Sequence, residues 1–358
     1  MRSGVFHVKQ LQAATEIVLR VMAGEASFDE GLAAVVAYQR RFNGPLAAYW
    51  QRRGFTTEQP TAGEVPAVMT DLFRSVRLTS SEAEPTMVFR TSGTTSGARG
   101  EHWRLSTTAY DEGAARHFAE MVLTRGERRR FVKWCFDPAE VADSSLSHMV
   151  GDLERRFGKG EGAWQLSSEG LRAEALDELA ALQAPVVVFT TAFALSWLLE
   201  RLAAPVALPA GSLLIETGGF KGKSREIPRD ELYAATQAAL GLPATAMLSE
   251  YSMTELSSQL YSRQVVDGLA GAAQRMLVPP AWCRVLAIDP ATGQPVAEGE
   301  EGLLRFIDLA NVETVVAVQT ADRGRVTPAG VELLGRAPGA VARGCGLSVE
   351  ELRERGDL

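Results

Sequence analysis

Apolar residues recur three and four positions apart through QLQAATEIVLRVMAG and FDEGLAAVVAYQRRF, with few β-branched runs, so residues 9–80 are expected to be mostly helical. Pro60, Gly63 and Pro66 interrupt that pattern before a further short helix expected over AVMTDLFRSV. From Met87 the texture changes, and TMVFRTSGTTSG is a short apolar run that empties into a Gly/Ser/Thr loop. Then ALDELAAL (helix), PVVVFTT (buried strand), AFALSWLLERL (helix), SLLIETGG (strand) and RDELYAATQAALG (helix) alternate. Strands alternating with helices, each strand bounded by Gly or Pro, point to an α/β fold with a mainly parallel sheet and helices on both faces. In such sheets ligands gather at loops after the strand carboxyl ends. The segments 91–97, 190–192 and 217–224 are loops of that kind. Beyond about 275 the helical period stops, and WCRVLAIDPATGQPVAEGEEGLLRFIDL and TVVAVQTADRGRV read as short antiparallel strands. The tail GRAPGAVARGCGLSVEELRERGDL reads as loop and then a short helix, with Ser348 and Glu351 as its capping box. The expected division is a helical region over 1–80, an α/β core over 81–270, a β-rich subdomain over 271–336 and a tail over 337–358.

Composition removes several classes of function. A formal net charge of −7 argues against a general nucleic-acid binder, which carries a basic excess. Cys135, Cys283 and Cys345 are few, odd in number and widely spaced, which fits neither a zinc site nor a disulfide framework and points to a reducing cytoplasm. The N-terminus MRSGVFHVKQLQAATEIVLR lacks the apolar block and cleavage site of a signal peptide. No apolar run approaches the roughly 18 residues of a membrane span.

Two segments carry chemistry. In TSGTTSGARG at 91–100, Gly93 and Gly97 allow close backbone approach, while Thr91, Ser92, Thr94, Thr95 and Ser96 offer hydroxyls and successive N–H groups that can cradle a polyphosphate. Arg99 is placed to add a fixed positive charge; a flexible polar turn is the plain alternative. The nucleotide-triphosphatase P-loop is excluded here, because GKS or GKT is absent, and GGFKGKSR at 218–225 fails that motif's glycine spacing by one residue. The second segment, EYSMTELSSQLYS at 250–262, presents Tyr251, Thr254 and Glu255 as an aromatic, a hydroxyl and a carboxylate suited to a nucleotide and its metal.

Together these segments resemble the adenylate-forming superfamily of acyl-CoA synthetases, peptide-synthetase adenylation domains and luciferases. TSGTTSGARG is similar to that family's TSGTTGxPKG loop, with Ser96 at a Gly and Arg99 at a Lys, and YSMTE at 251–255 resembles its YGMTE. TADRG at 320–324 resembles its T-G/A-D-x-G, and Arg336 follows Asp322 by fourteen residues, near the family's arginine. Within the superfamily, DSSLSHM at 143–149, TTAF at 190–193, ETGGFKGKSRE at 216–226, EYSMTELSSQLY at 250–261 and RGCGLS at 343–348 resemble the acyl-protein synthetase of bacterial bioluminescence, the ATP-using subunit of a fatty-acid reductase. That likeness covers roughly residues 80–352. It implies ATP and Mg²⁺ as cofactors. Thr91, Ser92, Gly93, Thr94 and Thr95 would hold the β/γ-phosphates; Gly218, Gly219 and Phe220 would line the adenine, with Tyr251 stacked on the base. Thr254 would contact the α-phosphate, Glu255 would bind Mg²⁺, and Asp322 would accept the ribose hydroxyls with Arg336 nearby. His148 would line the carboxylate pocket, where the plain alternative is a satisfied core histidine.

The family's further mobile domain, which bears a catalytic lysine, is expected to be largely absent, and Lys221 is the candidate cation in its place, with a surface lysine as the alternative. Cys345 is the candidate acyl acceptor. Arg343 and a following helix N-terminus favour its thiolate, Gly344 and Gly346 leave room for approach, and a buried inert thiol is the alternative. The run Arg125, Arg128, Arg129, Arg130 reads as a solvated helix end, or as a docking patch for an acidic carrier protein or CoA phosphate. The expected function is ATP-dependent activation of a fatty or aryl acid, followed by transfer to Cys345 or to a partner resembling an acyl-CoA reductase or acyl-carrier protein. Ligation to CoA or a carrier protein is one alternative, and a nucleotide-binding scaffold subunit is another.

Overall fold

The structure, a computed structural model, describes residues 2–80, 84–91, 99–218, 227–263 and 276–338. The chain opens with three helices, α1 (Arg2–Met22), α2 (Phe28–Phe42) and α3 (Gly44–Arg52). Ser27 and Glu30 form a reciprocal capping box at the start of α2, and the Asn43 side chain caps α3. The helix expected over AVMTDLFRSV is not formed. That stretch makes strand β1 (Val68–Met69) and a 3₁₀ turn (Thr70–Arg74). The reason is tertiary: Val68 and Met69 pair in parallel with Val318 and Gln319, and Val68 is buried there.

The hairpin β2 (Met87–Arg90) and β3 (Glu101–Arg104) forms its own two-stranded sheet. There follow α4 (Thr108–Met121), β4 (Arg130–Phe136), α5 (Ser145–Phe157), β5 (Trp164–Ser167), β6 (Gly170–Leu171) and α6 (Ala175–Ala180). Next come β7 (Val186–Thr191), α7 (Ala192–Arg201), β8 (Leu213–Thr217), α8 (Arg229–Leu240) and β9 (Met247–Tyr251). Strands β5, β4, β7, β8 and β9 lie side by side in that order, all parallel. Every residue of β7 is buried, as expected of a strand covered on both faces. Phe118 of α4 packs on Phe131 and Phe189, while Trp197 of α7 packs on Trp134. Phe131 and Trp134 point to opposite faces of β4, so α4 and α7 cover opposite sides of the sheet.

The β-rich part is no separate sheet. Beyond β9 the ladder continues antiparallel through β10 (Leu260–Ser262), β11 (Leu277–Val278), β15 (Gly330–Arg336), β14 (Ala317–Thr327), β13 (Glu301–Asp308) and β12 (Cys283–Ile288). Among the described residues the junction is narrow: two residue pairs join β10 to β11, and Leu277↔Val331 joins β11 to β15. The N-terminal helices share a core with this half, where Leu32, Val35 and Val36 of α2 cluster with Leu304, Phe306 and Val316. Gly31 permits that approach, since a Cβ there would lie 2.7 Å from Leu309. Among the described residues no helix is long and apolar enough to cross a membrane.

Candidate functional site

Three of the expected nucleotide residues meet at one place. Tyr251 ends β9, and Asp322 and Arg336 are cross-strand partners on β14 and β15. The Tyr251 hydroxyl donates to Asp322 Oδ2 at 2.8 Å, and Arg336 Nε lies 3.1 Å from Asp322 Oδ1. One face of the Tyr251 ring stacks on Phe306, with centroids 5.5 Å apart and an interplanar angle of 15°. Burial and the adjacent Asp322 carboxylate push the Tyr251 phenol well above its ordinary value, so the hydroxyl stays a donor. A ladder irregularity at Arg323/Gly324 follows Asp322 directly, a common way of aiming a side chain out of a strand. Gly218 closes β8 with φ +77°, a backbone that a side chain would strain.

Thr91 and Arg99 form the neck of the loop 91–100. Thr91 N donates to Gly100 O at 2.9 Å, and Gly100 N donates back to Thr91 Oγ1 at 2.8 Å. The expected role of Arg99 changes. Its guanidinium is turned to Thr91 O at 2.6 Å, Arg90 O at 3.3 Å and Asp143 Oδ2 at 2.7 Å, so its charge is already neutralised beside α5. His148, on the first turns of α5, has Nε2 2.8 Å from Asp111 Oδ1 and its ring against Phe89 and Tyr110. Burial opposes the Asp111 carboxylate, but hydrogen bonds from His148 and Thr107 outweigh it and hold its pKa below the ordinary range. The 143–148 segment and the loop neck therefore sit together.

Thr254 and Glu255 lie in the irregular segment after β9, and Glu255 is buried. The Thr254 carbonyl accepts from His102 Nδ1 of β3 at 2.6 Å, and the Glu255 carbonyl accepts from Asn311 Nδ2 at 3.0 Å. The hairpin β2–β3 thus links the loop neck to the Thr254–Glu255 segment. Among the described residues no cluster of three or more His, Cys, Asp or Glu gathers to hold a metal ion.

Sequence reasoning missed the buried carboxylates beside this site. Glu250 is buried on β9 next to Tyr251, accepts from the Thr217 hydroxyl, and burial pushes its carboxyl up to about 7. Glu216 of β8 is buried on the α8 side, where the Tyr233 hydroxyl lies 3.3 Å from its Oε2 and 2.8 Å from Ser249 Oγ. The available signal was a charged residue inside an otherwise buried strand, in SLLIETGG and AMLSEY.

The arginine run is not a helix end, since α4 stops at Met121 and Arg130 begins β4; Arg128 reaches Gly158 O at 3.4 Å, and Arg129 pairs with Glu127 at 2.8 Å. Ser92, Gly93, Thr94, Thr95, Gly219, Phe220, Lys221 and Cys345 lie outside the described residues.

No protein-family profile matches the chain, and no curated protein matches it. Solved structures do match in fold. 2-Hydroxyisobutyryl-CoA ligase in the postadenylation state with 2-HIB-AMP superposes with a TM-score of 0.62 at 17% identity, over 88% of this chain and 68% of that one. Its open conformation with 2-HIB-AMP and CoA gives 0.59 at 14% identity, over 91% and 88%. ATP-bound MatB from Rhodopseudomonas palustris gives 0.51 at 17% identity, over 71% of this chain and 48% of that one, so the chain spans about half the length of MatB. These likenesses establish the α/β fold that those proteins share with this chain.

Proposed function

We propose that the chain activates a carboxylic acid with ATP as an acyl-adenylate and passes the acyl group to a thiol. The observation that carries this reading is the meeting of Tyr251, Asp322 and Arg336 across β9, β14 and β15, with the Thr91 neck and the Thr254–Glu255 segment bridged by one hairpin. A carboxylate is well suited to accept two ribose hydroxyls, and Asp322 is held for that task by Tyr251 and Arg336. The fold likeness to ligases bound to ATP or an acyl-AMP supports the same assignment.

In the first step a carboxylate oxygen of the acid attacks the α-phosphorus and pyrophosphate leaves. The chain's task is to align these groups and offset their charge. Thr254 would meet the α-phosphate and Glu255 would hold Mg²⁺, which neutralises charge on the phosphates when bound. His148, oriented by Asp111, would line the pocket for the acid. In the second step a thiolate attacks the acyl carbon and AMP leaves. Cys345 is the proposed thiol, which would make the chain an acyl-protein synthetase. CoA is the second reading for the acceptor, suggested by the CoA ligases that match in fold.

Pyrophosphate exchange over a panel of fatty, aryl and small hydroxy acids tests the first step, and absence of acid-dependent exchange would support a scaffold role instead. Labelled acid and ATP should leave hydroxylamine-sensitive label on wild type and none on Cys345→Ser. Equal labelling, with acyl-CoA forming when CoA is added, would assign the acceptor to CoA.

A further inference from the structure

We propose that His102 is a positioning residue for the Thr254–Glu255 segment, locked in that role by Thr314 and by the buried Arg104–Asn311 network; this rests on the adenylation reading above. His102 is buried on β3. Its Nδ1 lies 2.6 Å from the Thr254 carbonyl, which can only accept, so Nδ1 carries the proton. Nε2 is then a lone pair that accepts from Thr314 Oγ1 at 2.7 Å. Burial, with the neighbouring Arg104 charge adding to it, pushes the imidazole well below its ordinary value, so this neutral tautomer persists at working pH.

The rest of the network acts on the same segment. Asn311 Nδ2 holds the Glu255 carbonyl at 3.0 Å and the Val315 carbonyl at 2.9 Å. Arg104, buried, donates to Ser257 Oγ at 2.6 Å, and that hydroxyl in turn bonds Asn311 Oδ1. Asp308 Oδ2 accepts the amides of Ser257 at 2.8 Å and Ser258 at 2.9 Å. The buried carboxylates Glu313 and Asp308 face the Arg104 charge. Thus the carbonyls of 254 and 255 and the amides of 257 and 258, which an irregular segment cannot pair internally, are bonded from β3 and from 308–314.

The 308–314 stretch is itself pinned by α2 and the residue after it. Gln39 Nε2 donates to Asn311 O at 2.7 Å and Val312 O at 3.0 Å, while Asn43 Nδ2 donates to Thr314 O at 2.7 Å. The N-terminal helices therefore act on Thr254 and Glu255 through two layers of hydrogen bonds. His102 and Asn311 hold residues 254 and 255 through their backbone carbonyls, so neither of these two bonds uses the side chain of Thr254 or Glu255.

The test uses the full chain, with acid-dependent pyrophosphate exchange measured over a Mg²⁺ titration beside thermal melting. His102→Phe keeps the ring and its edge contact with Phe73 and removes both hydrogen bonds. It should lower kcat by roughly 100-fold, the size expected of an ångström-scale misplacement, and raise the half-saturating Mg²⁺ several-fold. KM for the acid should not change. His102→Asn, which returns a donor near Nδ1, should recover about tenfold of the loss by remaking one hydrogen bond. If His102→Phe does not fold, Thr314→Val serves: it removes the hydroxyl that holds the ring at Nε2 and leaves that buried nitrogen unpaired, and kcat should fall several-fold. A folded His102→Phe, or failing it Thr314→Val, with kcat and Mg²⁺ dependence at wild-type values would overturn the positioning role alone. Wild type without exchange on any acid would overturn the adenylation reading and this role with it.

Discussion

Asp322 and Tyr251 stand 71 positions apart in sequence and share one hydrogen bond, and each is more informative for the other's presence. Asp322→Asn keeps an oxygen for Tyr251 but removes the charge that ribose hydroxyls and Arg336 would meet. Hydrogen bonds to a charged group are worth about 1.5–3 kcal/mol, so KM for ATP in pyrophosphate exchange should rise roughly 10- to 100-fold. An unchanged KM would remove Asp322 from the site. Glu250 has a different consequence, for stability. Burial lifts its carboxyl from 4.5 to about 7, so between those pH values the folded chain keeps a proton that the unfolded chain has released. Its contribution is therefore complete below about pH 4.5 and is lost as pH rises to 7. At about 1.4 kcal/mol per unit the loss is of order 3 kcal/mol. Glu250→Gln should melt with wild type at pH 5 and a few degrees above it at pH 8; parallel melting curves at both pH values would show an ordinary carboxyl. Tyr251, Asp322 and Arg336 were legible in the sequence because their order and spacing carried the motif. Glu250 and Glu216 were not, because their effect comes from burial, and burial depends on which strands lie beside β8 and β9.

At the scale of elements, the β2–β3 hairpin shows where pattern reading fails. Along β3 the buried positions are His102 and Arg104, while Trp103 is only partly buried, with the Arg77 guanidinium 4.0 Å above its ring. Polarity predicts the reverse assignment of faces. The inversion is stable because His102 and Arg104 find partners in the Thr254 carbonyl and in the buried Thr314 and Ser257, all distant in sequence. The same hairpin opens into the loop 91–100, and Arg99 ties its neck to Asp143 and to two carbonyls. Arg99 is partly exposed, so its ion pair adds about 1 kcal/mol or less to stability. Its forked geometry is what a lysine cannot copy. Arg99→Lys should leave the melting temperature within about 1–2 °C of wild type and raise KM for ATP several-fold. Equal KM values would show that the neck needs no clamp. The alternating strands and helices of 186–240 are legible because the strands carry unbroken apolar runs bounded by Pro or Gly and the helices between them are 10 and 12 residues long, whereas the strand in AVMTDLFRSV exists only through pairing with Val318.

For the whole molecule, the sequence suggested an α/β core with a β-rich addition, but not that one ladder runs through both. That continuity depends on β10 and β11, three and two residues long, too short to announce themselves by period. The shared core of α1–α3 with β13 and β14 was equally hidden, since it joins residues near 30 to residues near 310. Among the described residues the junction at Leu277↔Val331 is narrow, and it forms a seam in the ladder. Tyr251 lies on one side of it and Asp322 on the other, so a nucleotide contacting both would act as a suture across a weakly laced edge. Local opening costs least where few backbone hydrogen bonds must break. Amide hydrogen exchange at Leu277 and Val331 should therefore be fast in the free chain and slow markedly with ATP, while β7, already laced on both edges, should stay protected throughout.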